Sequence, residues 1–206
     1  MKKAAVAIAL ILLLSGCSVP SSPEKTKAPS ATPTMEAPTP TTTPIEEEAW
    51  VTYTDGSVEF EHPADWSVSP ELMVLDGGGT ARLTYVPEID GIGGACEDEF
   101  PVYELDTAET TLVDPNAGAI RFAYNALETP DGVLAGLGLT ARAPTETGCL
   151  LYFIVTMNKA ISFASGMQLN PGAGIPFDSI DAANAYIDTD EYQTMRRIIL
   201  SLKVLP

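Results

Sequence analysis

Histidine is nearly missing: His62 is the one copy among 206 residues. That scarcity removes most zinc sites and every His-paired nucleophile that does not use His62. Positive charge is also scarce, with 11 Lys and Arg against 28 Asp and Glu and a formal net charge of -17. So acidic a chain is not built to hold nucleic acid, or an anionic bilayer surface, by charge. It has no G-x-S-x-G elbow, no H-E-x-x-H pair, no Walker loop and no G-x-G-x-x-G leading into a helix. Gly77-Gly78-Gly79 is followed by neither a Lys nor a helix, so it reads as a flexible turn and not a phosphate cradle. Cysteine is limited to positions 17, 96 and 149.

What is present begins with a cationic head, Met1-Lys2-Lys3, and an apolar run from Ala4 to Leu14. The run is too short to span roughly 30 Å of hydrocarbon as a helix. It reads as the apolar region of an export signal. Leu14-Ser15-Gly16-Cys17 closes it and resembles the lipobox of bacterial lipoproteins. The resemblance implies that the Cys17 thiol receives a diacylglycerol and that the signal, residues 1–16, is cut off just before it. The implied location is the extracytoplasmic face of the cell membrane, with the membrane as a partner through the anchor. Losing Lys2 and Lys3 and no acid would take the net charge from -17 to near -19. The alternative is an ordinary secretory signal with an unrelated Cys.

Residues 17–48 form the second region: the anchor Cys, then a linker with seven Pro and seven Thr in 18–48 and almost no large apolar residue. Such a stretch cannot bury enough surface to offset its ordering entropy, and its prolines favour extended polyproline II. It reads as a disordered tether. The third region, residues 49–206, is long enough for one full hydrophobic core.

That region reads first as strands. Trp50 to Tyr53, Val58 to Glu61 and Trp66 to Val68 are separated by Asp55-Gly56 and by the Pro63 turn. Leu72 to Leu75 and Ala81 to Val86 flank the glycines as a hairpin. Further strands are expected at Val102 to Thr107, Ala119 to Leu127, Val133 to Ala143 and Cys149 to Met157. The last is the most apolar and is expected at the centre. A short helix is expected from Ser179 to Ile187, then a second one capped by Asp188. On that helix Tyr192, Met195, Ile198 and Ile199 share one face. Ser201 to Val204 reads as a closing strand. The expected class is α+β: a single antiparallel sheet of six to eight strands, meander-like, with two or three helices packed on it.

Two stretches carry a resemblance to PsbP/Mog1-like domains. One is Asp55 to Val68, with Pro63 and Trp66 after the turn; the other is Met195 to Val204. Such domains are mostly small binding or assembly modules without catalysis. The resemblance supplies no shared catalytic residues.

His62 and Asp65 flank a Pro turn and are weighed as an acid–base or metal pair against a plain turn whose Trp66 enters the core, and the turn is favoured. Glu97-Asp98-Glu99, with Asp90 nearby, fits no known calcium loop spacing and reads as a solvated acidic loop. Asn170 to Gly174 reads as a connector. Cys96 and Cys149 remain as an even pair in an oxidising compartment and are expected to form a disulfide, the rival being two separate buried thiols. The expected function is a lipid-anchored, non-catalytic domain that binds a small molecule or protein in the envelope. No metal, cofactor or nucleic acid is expected. The alternatives are an envelope hydrolase and a pure scaffold.

Overall fold

The computed structural model describes residues 49–89, 98–165 and 174–205. All of them belong to one of two units into which the chain divides, Ile45–Pro206. In chain order the elements are β1 (Trp50–Thr54), β2 (Val58–Pro63), β3 (Ser67–Val68), β4 (Met73–Leu75), β5 (Ala81–Val86), β6 (Phe100–Asp114), β7 (Gly118–Thr129) and β8 (Gly132–Thr140). Then come β9 (Thr147–Gly148), β10 (Ile154–Thr156), β11 (Ala160–Ala164), β12 (Ile175–Phe177), α1 (Ile180–Ala185), a 3-10 turn (Tyr186–Asp188), α2 (Asp190–Leu200) and β13 (Lys203–Val204).

The class is α+β, but the expected single sheet is two. A three-stranded sheet runs β1-β2-β13, and a ten-stranded one runs β3-β4-β5-β11-β8-β7-β6-β9, with β10 beside β11 and β12 beside β8. The chain leaves the small sheet at Pro63. There the Ala64 amide donates to Ala49 and the Trp66 amide to Pro63, at 2.8 and 3.0 Å, and this turn starts β3 in the other sheet. The meander is local. β3 to β5 and β6 to β8 follow one another, but β11 is inserted between β5 and β8.

The stretch 149–157 is not the central strand that its apolarity suggests. Only Ile154–Thr156 is strand, paired with β11 alone. The residues before it lie across the sheet, where β8 carries glycines. A Cβ on Gly138 would sit 2.8 Å from Phe153 Cγ, and one on Gly136 would sit 3.0 Å from Phe153 Cε2. Leu151 and Phe153 are thus buried by covering a sheet face, not by pairing.

β7 is buried on both faces, which explains its nearly unbroken apolar sequence. Ile120, Phe122, Tyr124 and Ala126 face the main core with α2, β2 and β11. Ala123 and Leu127 face a smaller cluster with Leu151, Phe153 and Ala164. On α2 the residues Tyr192, Met195, Ile198 and Ile199 are buried, as their spacing predicts. Its cap is Thr189 rather than Asp188: the Thr189 hydroxyl accepts from the Tyr192 amide at 3.2 Å. One residue of offset suffices, because any Ser, Thr or Asp in extended backbone can reach those amides. Helix and sheet are tied by polar contacts too. Tyr124 donates to the Ala183 carbonyl at 3.0 Å. Tyr192 and Arg196 both donate to Asp106 at 2.8 Å.

Candidate functional site

On the face of β6, β7 and β8 away from the helices, the chain leaves a cavity of about 440 Å³. Its floor follows from strand alternation. Arg121, Ala123, Asn125 and Leu127 point the same way from β7, because successive side chains alternate sides. Their cross-strand partners on β8 are Thr140, Gly138, Gly136 and Leu134, and of these eight Arg121, Asn125 and Thr140 line the cavity. Glu104 of β6 lies opposite Asn125. The segment 141–152 folds over this floor and adds Arg142, Thr145, Thr147, Leu150 and Tyr152 to the lining. Two glycines facing the floor keep it low enough for that cover to pack.

Arg121 acts as a strut. It is ion-paired to Glu104, donates to the Thr107 hydroxyl at 2.9 Å and donates to the Arg142 carbonyl at 3.0 Å. It thereby joins β6, β7 and the covering segment. Arg142 is held differently. Its guanidinium lies over the Tyr152 ring, 3.5 Å from the centroid. Its amide donates to the Thr140 hydroxyl at 3.1 Å. Glu99 accepts from Thr147 at 3.0 Å on the rim. Asn125 Oδ1 is buried and has no hydrogen-bond partner among the described residues. A buried acceptor without a donor costs about 1–3 kcal/mol, so such an atom marks a place where a donor belongs.

The residues singled out in the sequence lie elsewhere. His62 is 7% exposed, and its Nδ1 lies 2.9 Å from the Pro63 carbonyl. Its ring packs 6.4 Å from that of Phe60. Asp65 is exposed, and no hydrogen bond or ion pair joins it to His62 among the described residues. Residues 63–66 form a turn, with Pro63 buried and Trp66 half-buried against the main core. The glycine turn is organised by Asp76, whose carboxylate accepts from the Gly78 and Thr80 amides at 2.9 Å and from Arg82 at 2.7 Å. Asp98 and Glu99 are exposed. Asp90, Glu97 and residues 170–173 lie outside the described residues, as do Cys17 and Cys96. Cys149 lines the cavity and is disulfide-bonded. Its partner also lies outside the described residues. Among the described residues no group of three or more His, Cys, Asp or Glu is placed to hold a metal ion. Among them, too, no helix is long and apolar enough to cross a membrane.

The cavity was missed in the sequence, although half its signal is there. Arg121 and Asn125 are the two polar side chains inside the apolar run 119–127, four residues apart and so on one face. Arg142 and Tyr152 give no such signal, because the irregular path of 149–153 brings them together. Comparison with models of protein families, with curated proteins and with solved structures found no match.

Proposed function

We propose that this protein is a lipid-anchored extracytoplasmic lipoprotein whose domain binds a small polar ligand, without catalysis, in the cavity on the β6–β7–β8 face. The anchor rests on Leu14 to Cys17. The binding reading rests on one observation: Asn125, which lines the cavity, has a buried acceptor, Oδ1, that no group among the described residues satisfies. Its volume falls within the roughly 300–1,000 Å³ usual for ligand pockets. The absence of catalysis is supported by His62, which is buried and bonded at the end of β2 and does not line the cavity. The likeness of residues 55–68 and 195–204 to PsbP/Mog1-like modules belongs to the same proposal, because those modules are mostly binders.

The test is a thermal-shift screen of polar metabolites and sugars on the full-length chain in detergent. Ala143 is exposed and lines the cavity. The variant Ala143→Trp should fill the mouth. At least one compound should raise the melting temperature of the parent and not of the variant. Equal shifts in both, or none in either, would sink the reading.

One observation favours the hydrolase alternative. Glu99 and Glu104 line the same cavity, and glycoside hydrolysis needs only two carboxylates. Against it, Glu104 is engaged by Arg121 and Glu99 by Thr147. Turnover of glycosides that Glu104→Gln abolishes would establish the enzyme instead.

A further inference from the structure

Seven cations lie among the described residues: Arg82, Arg121, Arg142, Lys159, Arg196, Arg197 and Lys203. Six of them form ion pairs with a carboxylate. Arg142 forms none. In a chain with 28 acids against 11 cations, an unpaired cation is the exception. This one lines the cavity. Its guanidinium face is used by Tyr152. Stacking occupies the face of the group and leaves the N–H fork along its edge, which matches a carboxylate.

Charge narrows the ligand further. Arg121 and Arg142 balance Glu99 and Glu104, so the lining carries no formal net charge. A monoanion can be seated on Arg142, while a phosphate dianion would meet two carboxylates for one free cation. Of the other polar lining groups Glu99 and Glu104 only accept, and the hydroxyls of Thr140, Thr145, Thr147 and Tyr152 can accept as well as donate. Acceptors call for a ligand rich in donors. A peptide offers one amide N–H per residue. A sugar offers a hydroxyl on almost every carbon. Arg121 and Asn125 stand four residues apart on β7, about 13 Å at the usual strand rise, and Arg142 is bonded to Arg121 through its carbonyl. Arg142 and Asn125 both line one cavity of about 440 Å³, which is roomier than a single sugar ring needs.

We infer that the cavity binds a carboxylate-bearing oligosaccharide, with one carboxylate on the free edge of Arg142 and a sugar hydroxyl at Asn125. This rests on the binding reading above and gives it a ligand class.

The experiment is calorimetric titration of the full-length chain in detergent with three probes. They are a tetrasaccharide of glucuronic acid, the neutral glucose tetrasaccharide and the peptide acid tri-alanine. The uronate should bind best, and added salt should weaken it. Arg142→Ala should weaken the uronate by about tenfold or more and leave the weak neutral sugar unchanged. Arg142→Lys should recover part of the loss, since it keeps the charge without the fork. Asn125→Ala should weaken both sugars alike. Arg142 is exposed, so its variants should melt with the parent, and a melting scan checks this. Equal binding of the two sugars would overturn the carboxylate assignment, and tighter binding of tri-alanine the sugar assignment; both would leave the binding reading standing. If no probe binds and the thermal-shift screen also fails, both readings fall. Cleavage of the uronate would replace binding by catalysis.

Discussion

Replacing Gly138 by Ala tests how the covering segment is seated. The added Cβ would lie 2.7 Å from Ala164 Cβ, 2.8 Å from Phe153 Cγ and 2.9 Å from Phe153 Cβ. Real Cβ atoms do not approach so closely, and two of the three neighbours are the stiff starts of side chains. Either Phe153 or β11 must move. Overpacking of this kind costs about 1–3 kcal/mol. Gly138 does not occupy a left-handed conformation, so Ala brings no backbone strain. It also lowers the entropy of the unfolded chain, worth about 0.4–1 kcal/mol. The clash wins, with a net loss of about 1–2 kcal/mol, or roughly 3–6 °C in melting temperature for a chain of this size. The assay is urea unfolding of the full-length chain followed by circular dichroism. The midpoint should fall with an unchanged slope. Gly148→Ala is the control, because its Cβ would meet only ordinary contacts, the nearest being Val102 Cγ2 at 3.4 Å. It should be neutral. In the Gly138→Ala background, Phe153→Leu should cost less than it does alone, by about 0.5 kcal/mol or more. A Gly138→Ala protein as stable as the parent would refute the claim that the glycines seat the cover.

Further outcomes are expected. Mass spectrometry of the native N-terminal peptide should find Cys17 diacylated and first in the mature chain; an unmodified Cys17 would end the anchor proposal. Alkylation of the exported, denatured protein should label neither Cys96 nor Cys149 until reduction; label on Cys96 beforehand would refute the proposed pairing. A link from 96 to 149 closes a loop of 54 residues, worth about 4 kcal/mol by chain entropy. Asp114 is buried at the β6–β7 turn and accepts from the Thr156, Asn116 and Ala117 amides at 2.7, 2.8 and 3.1 Å. Burial raises its pKa, but those bonds outweigh it and hold the carboxyl below its usual range. Its contribution is therefore present above pH ~4 and is lost as pH falls further. Asp114→Ala should cost about 1–3 kcal/mol in urea unfolding and should flatten the loss of stability on acidification. Burial pushes the phenols of Tyr124, Tyr186 and Tyr192 well above their usual value, helped by Glu191 at Tyr186 and Asp106 at Tyr192. Stability from these groups is full below pH ~10 and is lost as pH climbs toward the folded values. Ultraviolet titration should show at least these three tyrosines ionising only as the fold is lost; early ionisation of them with circular dichroism intact would contradict their burial.

The elements legible in the sequence were those whose side chains keep a regular period along the chain. Val58 to Glu61, Ala119 to Leu127 and the face of α2 show their period because each packs as a regular element against one or two flat surfaces. β11 and β12 escaped notice. Ala160–Ala164 is short, and its burial depends on β5 and β8, distant in sequence. Ile175–Phe177 contains a proline and pairs with β8 only at the sheet's margin. Cys149 to Met157 misled because apolarity reports burial and not its manner. Leu151 and Phe153 bury themselves on top of glycines that lie fifteen residues earlier. The cavity inherits the same difficulty. Its floor is written in one strand at Arg121 and Asn125, but its lid depends on a path that no periodicity records.

The arrangement β1-β2-β13 also has a mechanical consequence. Trp50 pairs with Pro63 at the open end of the β1–β2 hairpin, while the turn lies at the far end. A pull on the chain before Ala49 enters at Trp50, and the rest of the domain resists through Pro63 at that same end. The two strands then part like a zipper, one rung at a time, and are not sheared along their whole length at once. β1 is also the most solvent-washed strand of the small sheet, with Val51 42% exposed. β2 stays gripped by β13 and by the burial of Val58 and Phe60. Under load the protein should therefore yield first by paying out five residues of β1, a short slack that spares the cavity.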